Sequence, residues 1–180
     1  MTTIIGIKKD NSVWIGADSI ASNGHDKFTV ANPKVFKKDN MLIGYTTSFR
    51  IGQLLQYSVN TPTDDYGVSA HEYMVTRYIP EVIKCFEENK CLSTDDNNVS
   101  VGGDFLVGYR GELFTVQSDF SVNQWLSNFA VVGHGTEYAL GAMQILNKID
   151  YLPDDKINMA LEAVSNVSVF TVRPFHVMQL

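Results

Sequence analysis

The sequence predicts an α+β domain in which two antiparallel sheets form the core and helix pairs cover the outside, and three observations predict it. Strand-like and helix-like segments come in blocks: strands, two helices, strands, two helices, strands. That order suits antiparallel sheets with helices packed against them. The first two strand segments are apolar on both faces, as in a sheet covered on both sides. Finally, 180 residues with 44% hydrophobic content fit one domain over 1–180, with a sizeable core.

Thr3 to Ile7 and Ser12 to Ala17 read as strands of a hairpin across the turn pair Asp10-Asn11. Ser22-Asn23-Gly24 follows as a loop. Lys34 to Lys37 and Met41 to Tyr45 read as a second hairpin across Asp39-Asn40. Phe49 to Tyr57 is helical, with Ile51, Leu54 and Leu55 at helical spacing, and Thr61 to Gly67 is a polar turn region. Ser69-x-x-Glu72 is a capping box that opens the next helix, striped by Val75, Ile79, Val82 and Phe86. Pro80 inside that stripe removes a helix hydrogen bond and predicts a kink or a split. Cys91 to Ser100 reads as an exposed polar connection. Asp104 to Tyr109 and Glu112 to Val116 form a hairpin across Arg110-Gly111, and Phe129 to Val132 is a strand. Gly133 to Gly135 leads into a helix whose shared face carries Ala139, Ala142, Met143 and Leu146. Pro153-Asp154-Asp155 starts another helix with acids in its first turn, which suits the helix dipole. Val167 to Phe170 and Phe175 to Met178 close the chain as strands.

Composition narrows the function classes. The formal net charge of −6 argues against a nucleic-acid-binding module, whose footprint is a basic face. No apolar run approaches the ~18 residues of a membrane span, and MTTIIGIKKD lacks the basic-then-apolar pattern of a signal peptide. Cys85 and Cys91 lie six positions apart; two thiols could form one bridge, but they read as reduced thiols of a cytoplasmic protein. No Cys/His cluster has zinc spacing, so no metal is expected.

Three residues carry chemistry. Thr2 follows an initiator Met next to a small residue, a setting in which Met1 is normally clipped. The exposed N-terminal Thr then combines a hydroxyl nucleophile with an amine base of pKa about 7.7–8.0. While Met1 remains, that nitrogen is an amide and cannot act as a base. Asp18 ends the second strand, where side chains meet a cleft. Lys34 opens an apolar strand; beside an N-terminal Thr its charge favours the deprotonated amine and a developing alkoxide, with Asp18 holding it charged and oriented. Alone, each residue also has an ordinary reading: a common Met-Thr start, a turn Asp, a surface Lys.

Together, the run Thr2-Thr3-Ile4-Ile5, Ile15-Gly16-Ala17-Asp18 and Lys34-Val35 resembles the opening of proteasome β subunits and their bacterial HslV-type relative. That family pairs an N-terminal Thr with an Asp 16 positions later and a Lys 32 positions later, as here (18 − 2 and 34 − 2). Gly44 and the stretch from Val132 to Ala142 are similar to further family positions, and Asn166 to Thr171 is similar to its penultimate strand and loop. The chain departs from the family at Thr47-Ser48, where the family has Gly-Gly and a backbone N–H of the oxyanion hole. It departs again at His134 and Thr136, which stand for the two serines of a Gly-Ser-Gly-Ser stretch, and at Ser168 and Thr171, where an Asp is missing.

The resemblance implies the four-layer α-β-β-α sandwich of N-terminal-nucleophile hydrolases and a threonine endopeptidase acting through an acyl-enzyme on Thr2. It places Asp18 and Lys34 beside Thr2, gives the Ser48 N–H to the oxyanion, and makes His134 a polar partner or proton relay. Thr46 and Thr47 become a substrate-strand edge for an extended peptide, with Tyr45 and Thr46 lining a pocket, while Ser48 also reads as the cap of the Phe49 helix. It further implies a homo-oligomeric ring enclosing the sites, peptide or unfolded protein as substrate, and no cofactor; no residue identifies an unfoldase ATPase partner. Two alternatives stand beside it: an inactive proteasome-like ring or binding protein, and a small-molecule amidase of the same fold.

Overall fold

The computed structural model describes every residue except Met1, Gly24, Asp96 and Asn97. Expectations that fall on those four, the removal of Met1 and parts of the 22–24 loop and the 91–100 connection, lie outside the described residues. The strands are β1 (Thr3–Lys9), β2 (Ser12–Ala17), β3 (Ile20–Ser22), β4 (Lys27–Thr29), β5 (Val35–Lys38), β6 (Met41–Tyr45), β7 (Ser93–Asp95), β8 (Asn98–Ser100), β9 (Phe105–Tyr109), β10 (Glu112–Val116), β11 (Val122–Gln124), β12 (Phe129–Gly133) and β13 (His176–Gln179). The helices are α1 (Phe49–Tyr57), α2 (Ala70–Tyr73), α3 (Ile79–Glu88), α4 (Thr136–Leu146) and α5 (Pro153–Ser165).

The protein is α+β with antiparallel sheets. One has the order β12-β1-β2-β13 and the other β11-β10-β9-β6-β5; β3-β4 and β7-β8 form separate ribbons. The hairpin turns follow from their residues. Asp10 and Asn11 take φ of 50° and 61°, and Arg110 and Gly111 take 51° and 73°, the paired positive angles of the two-residue turn that matches strand twist.

Alternation along the strands builds three cores. Ile4, Ile15, Leu42 and Leu106 meet between the two sheets. Their neighbours point the other way: Ile5 and Ile7 pack with Met143, Ile157 and Leu161 of α4 and α5. Met41, Ile43 and Val107 pack with Leu54 of α1 and with Val82 and Phe86 of α3. Each such fully buried aliphatic side chain contributes about 1.5–3 kcal/mol. Gly44 sits where the two sheets approach closely. A Cβ there would come within 2.7 Å of Ile4 Cγ2 and 2.8 Å of Ile15 Cγ2, so a larger residue would push the sheets apart directly above Lys34.

Two expectations need correction, and one is met in a particular form. The helical run is divided just before Pro80, which stands in the first turn of α3. A π-turn over Met74–Tyr78 joins α2 to α3, and the wider turn moves aside the carbonyl that the proline ring would strike in α-helical geometry. Val167 to Phe170 is a turn: the Val167 and Ser168 N–H groups donate to Val164 O as α5 unwinds, and Val167 and Val169 are solvent-exposed. The 91–100 connection contains the β7-β8 ribbon. The Ser69 cap does form, its side chain accepting from the Glu72 N–H at 3.1 Å. Among the described residues no helix is long and apolar enough to cross a membrane, and both cysteines are unbridged thiols.

Candidate active site

At one end the two sheets part, and Thr2 lies at the opening, just before β1. The Thr2 carbonyl accepts the His134 N–H at 2.8 Å, extending the β1-β12 ladder by one rung beyond the Thr3-Gly133 pair. On the other side of Thr2, the Thr3 N–H donates to Asp18 Oδ1 at 2.9 Å, and the Thr3 and Thr171 hydroxyls are 2.6 Å apart. The backbone on both sides of Thr2 is therefore held by three different segments.

Asp18 and Lys34 come together with Thr2. Lys34 Nζ donates to Thr2 Oγ1 at 2.5 Å and to Asp18 Oδ2 at 3.1 Å. Asp18 Oδ2 also accepts the Ile20 N–H at 2.8 Å. Asp18 is 0% and Lys34 1% exposed, so the pair sits in a low-dielectric setting where its coupling is strong. Burial is the largest influence on both. It raises the Asp18 carboxyl above its usual range against the opposing Lys34 charge, and lowers the Lys34 ammonium against the opposing Asp18 charge. An ammonium weakened in this way, 2.5 Å from a hydroxyl, can both stabilise an alkoxide and share its proton with it.

Gly133 is required by the backbone next to Thr2. Its φ is +103°, and a Cβ there would lie 2.2 Å from Thr2 O. Thr136 Oγ1 donates to the Gly133 carbonyl at 2.6 Å and secures the turn into α4.

The other expected residues divide. Thr46 and Thr47 line the cavity that holds Thr2, of about 560 Å³. Ser48 caps α1, accepting the Ile51 N–H at 3.3 Å. Its own N–H, expected to face an oxyanion, donates back to the Thr46 carbonyl at 2.7 Å. This closes a tight turn around Thr47 at φ +63°, a backbone region that β-branched residues rarely enter. Gly103 makes room for that turn: a Cβ on it would lie 2.9 Å from Thr47 Cβ. The His134 ring stands edge-on to Phe170 at 4.5 Å, and the His134 group bonded to Thr2 is its backbone N–H. Ser168 Oγ accepts the Phe170 N–H at 3.2 Å and lines a neighbouring cavity, apart from Thr2. Tyr45 lines a third cavity with Pro33, Phe49 and Arg50, and burial pushes its phenol up to about 12. Sequence reasoning missed Gly103, Asp104, Gln117 and Trp125, which also line the Thr2 cavity. Among the described residues no group of three or more His, Cys, Asp or Glu is placed to hold a metal ion.

No family profile matches this sequence, and no curated protein matches it. Solved structures do. Thiobacillus denitrificans BPH, in a complex with epoxomicin, superimposes with a TM-score of 0.79 at 20% identity, covering 99% of this chain and 98% of that one. HslV from Trypanosoma brucei gives 0.70 at 18% identity, covering 99% of each chain. Anbu, an ancestral β-subunit from Yersinia bercovieri, gives 0.67 at 12% identity over 99% of this chain and 81% of that one. At these identities the likeness is one of fold: the chain has the HslV-like, proteasome-like α+β fold.

Proposed function

We propose that this chain, as a single domain over 1–180, is a threonine-type peptidase whose nucleophile is Thr2 after removal of Met1. The observation that carries the proposal is the 2.5 Å hydrogen bond from the Lys34 ammonium to the Thr2 hydroxyl, with Asp18 holding that ammonium from behind. Thr2 Oγ attacks the peptide carbonyl, and its proton passes to the Thr2 α-amine, directly or through a water. Lys34 lowers the energy of the alkoxide, and Asp18 keeps Lys34 charged and aimed. Collapse of the tetrahedral intermediate, with the proton passing from the Thr2 ammonium to the leaving nitrogen, expels the amine product and leaves an ester on Thr2; the freed amine then takes a proton from water, whose attack on the ester releases the acid and regenerates the hydroxyl. The strand edge at Thr46-Thr47 pairs with the extended substrate. The oxyanion takes the Ser48 N–H once that peptide plane has rotated away from Thr46. The fold is read as the four-layer α-β-β-α sandwich, and the working form as a cytoplasmic homo-oligomeric ring with the sites facing an inner chamber, fed with unfolded protein by an ATPase where one is present.

A second reading has one observation in its favour. With the Ser48 N–H bonded to Thr46 O, a ring-forming protein of this fold without hydrolytic activity is also consistent. Incubation of the processed protein with an unfolded substrate, beside the Thr2→Ala variant, separates the two. Hydrolysis by the parent and none by the variant supports the peptidase; no hydrolysis by either supports the inactive protein.

A further inference from the structure

The cavity beside Thr2 also holds a carboxylate that this hydrolysis does not use. β9 and β10 pair Phe105 with Val116, and the next rung sets Asp104 opposite Gln117. By strand alternation, Asp104 and Gln117 share a sheet face with Leu106 and Thr115. Further along that face Leu106 is buried between the sheets. At Asp104 the sheets have parted, and the face becomes a wall of the cleft. Among the residues lining the cavity, Asp104 is the only Asp, Glu, Lys or Arg. No Lys or Arg pairs with it among the described residues. Burial raises its carboxyl above the usual range, against the opposing influence of the Ser118 backbone N–H, so a cation that enters the cavity would favour its charged form. Its backbone carbonyl holds Thr46 through the Thr46 N–H at 3.2 Å and Thr46 Oγ1 at 2.8 Å.

Trp125 lines the same space. It is 50% exposed, and its Nε1 donates to Thr115 Oγ1 at 2.9 Å, which fixes the indole at the rim. A carboxylate without a basic partner and a tethered indole on the walls of one cavity suit a cation: the carboxylate supplies the opposite charge and the ring a cation–π surface. The Lys34 charge does not cancel this, because Asp18 already compensates it at the cleft floor.

We infer that Asp104 and Trp125 form a subsite for a cationic side chain of the substrate, a Lys or Arg near the cleaved bond. This rests on the reading of Thr2 as the nucleophile, and two measurements keep the claims apart. In the first, cleavage positions in unfolded proteins and in matched peptides carrying lysine or norleucine are mapped by mass spectrometry. Lys and Arg are expected to be enriched at one position within about three residues of the cut. Asp104→Asn, which removes the charge and keeps the size of the side chain, should lower kcat/KM for the lysine peptide about threefold to tenfold and leave the norleucine peptide unchanged. Asp150→Asn, outside the cavity lining, should retain the preference. In the second, isothermal titration of the same peptides into Thr2→Ala reads the subsite without the reaction. Tighter binding of the lysine peptide that disappears with Asp104→Asn upholds the subsite even where no peptide is cleaved, a result that would defeat only the nucleophile reading. Equal binding of the two peptides, or a lysine preference that survives Asp104→Asn, overturns the inference.

Discussion

Replacing Lys34 by methionine deletes a buried charge while keeping most of the apolar stem, and the structure sets the size of the effect. Asp18 and Lys34 are both essentially inaccessible to solvent. In Lys34→Met, Asp18 retains only the Thr3 and Ile20 N–H groups as partners. Removing one member of a buried ion pair costs about 3–5 kcal/mol, because the other is left uncompensated. That is a large share of the roughly 5–15 kcal/mol that stabilises a domain. The loss depends on pH in a direction that can be worked out. Burial already lifts the Asp18 pKa, and the Lys34 charge is the strongest influence opposing the rise; without it the pKa climbs further. A carboxyl whose folded pKa exceeds its unfolded value binds more protons when folded. The variant therefore loses stability as pH rises from 3.8 through the folded value, by up to about 1.4 kcal/mol per pH unit, and regains it on acidification. Urea unfolding of parent and variant between about pH 8 and pH 4 should show a gap of about 3–5 kcal/mol at the upper end that narrows toward ~1 kcal/mol at the lower. A gap that does not change with pH, or one below about 1 kcal/mol throughout, would refute the claim that a buried charge pair sits beneath Thr2.

Other substitutions test neighbouring parts. Ser48→Ala removes the α1 cap and should cost about 1 kcal/mol in urea unfolding, while kcat changes little because the backbone N–H remains. Gly133→Ala sets a Cβ against Thr2 O at φ +103°; thermal unfolding should show one of the largest losses in the molecule, about 3 kcal/mol or more. Thr171→Val strands the buried Thr3 hydroxyl and should cost about 1–3 kcal/mol, with Thr171→Ser close to the parent.

Local chemistry made much of this fold readable. Asp10-Asn11 and Arg110-Gly111 are turn formers between alternating strands, so both hairpins follow from a few adjacent residues. Phe49–Tyr57 is legible from Leu54, Leu55 and the Ser48 cap. Legibility failed where tertiary context decides. The interruption at Pro80 was legible from the proline, but its form, a π-turn over Met74–Tyr78, was not. Val167 to Phe170 is apolar enough for a strand, yet β2 takes β13 as its partner and leaves that stretch in a turn. At the site, the spacing of Thr2, Asp18 and Lys34 was visible because two hairpins of nearly fixed length carry them. Asp104, Gln117 and Trp125 were invisible because they reach the cleft only when the second sheet folds over the first, about a hundred residues along the chain. The bond from the Ser48 N–H to Thr46 O is a matter of one peptide plane, and side-chain identities at Thr47 and Ser48 do not specify it.

The most direct measurement is the mass of the N-terminal peptide after the protein has been treated with a peptide epoxyketone. With Met1 removed and Lys34 bonded to the Thr2 hydroxyl, one equivalent of adduct is expected on Thr2, blocked in Thr2→Ala and strongly slowed in Lys34→Met. An unmodified Thr2 in protein shown to lack Met1 would contradict it.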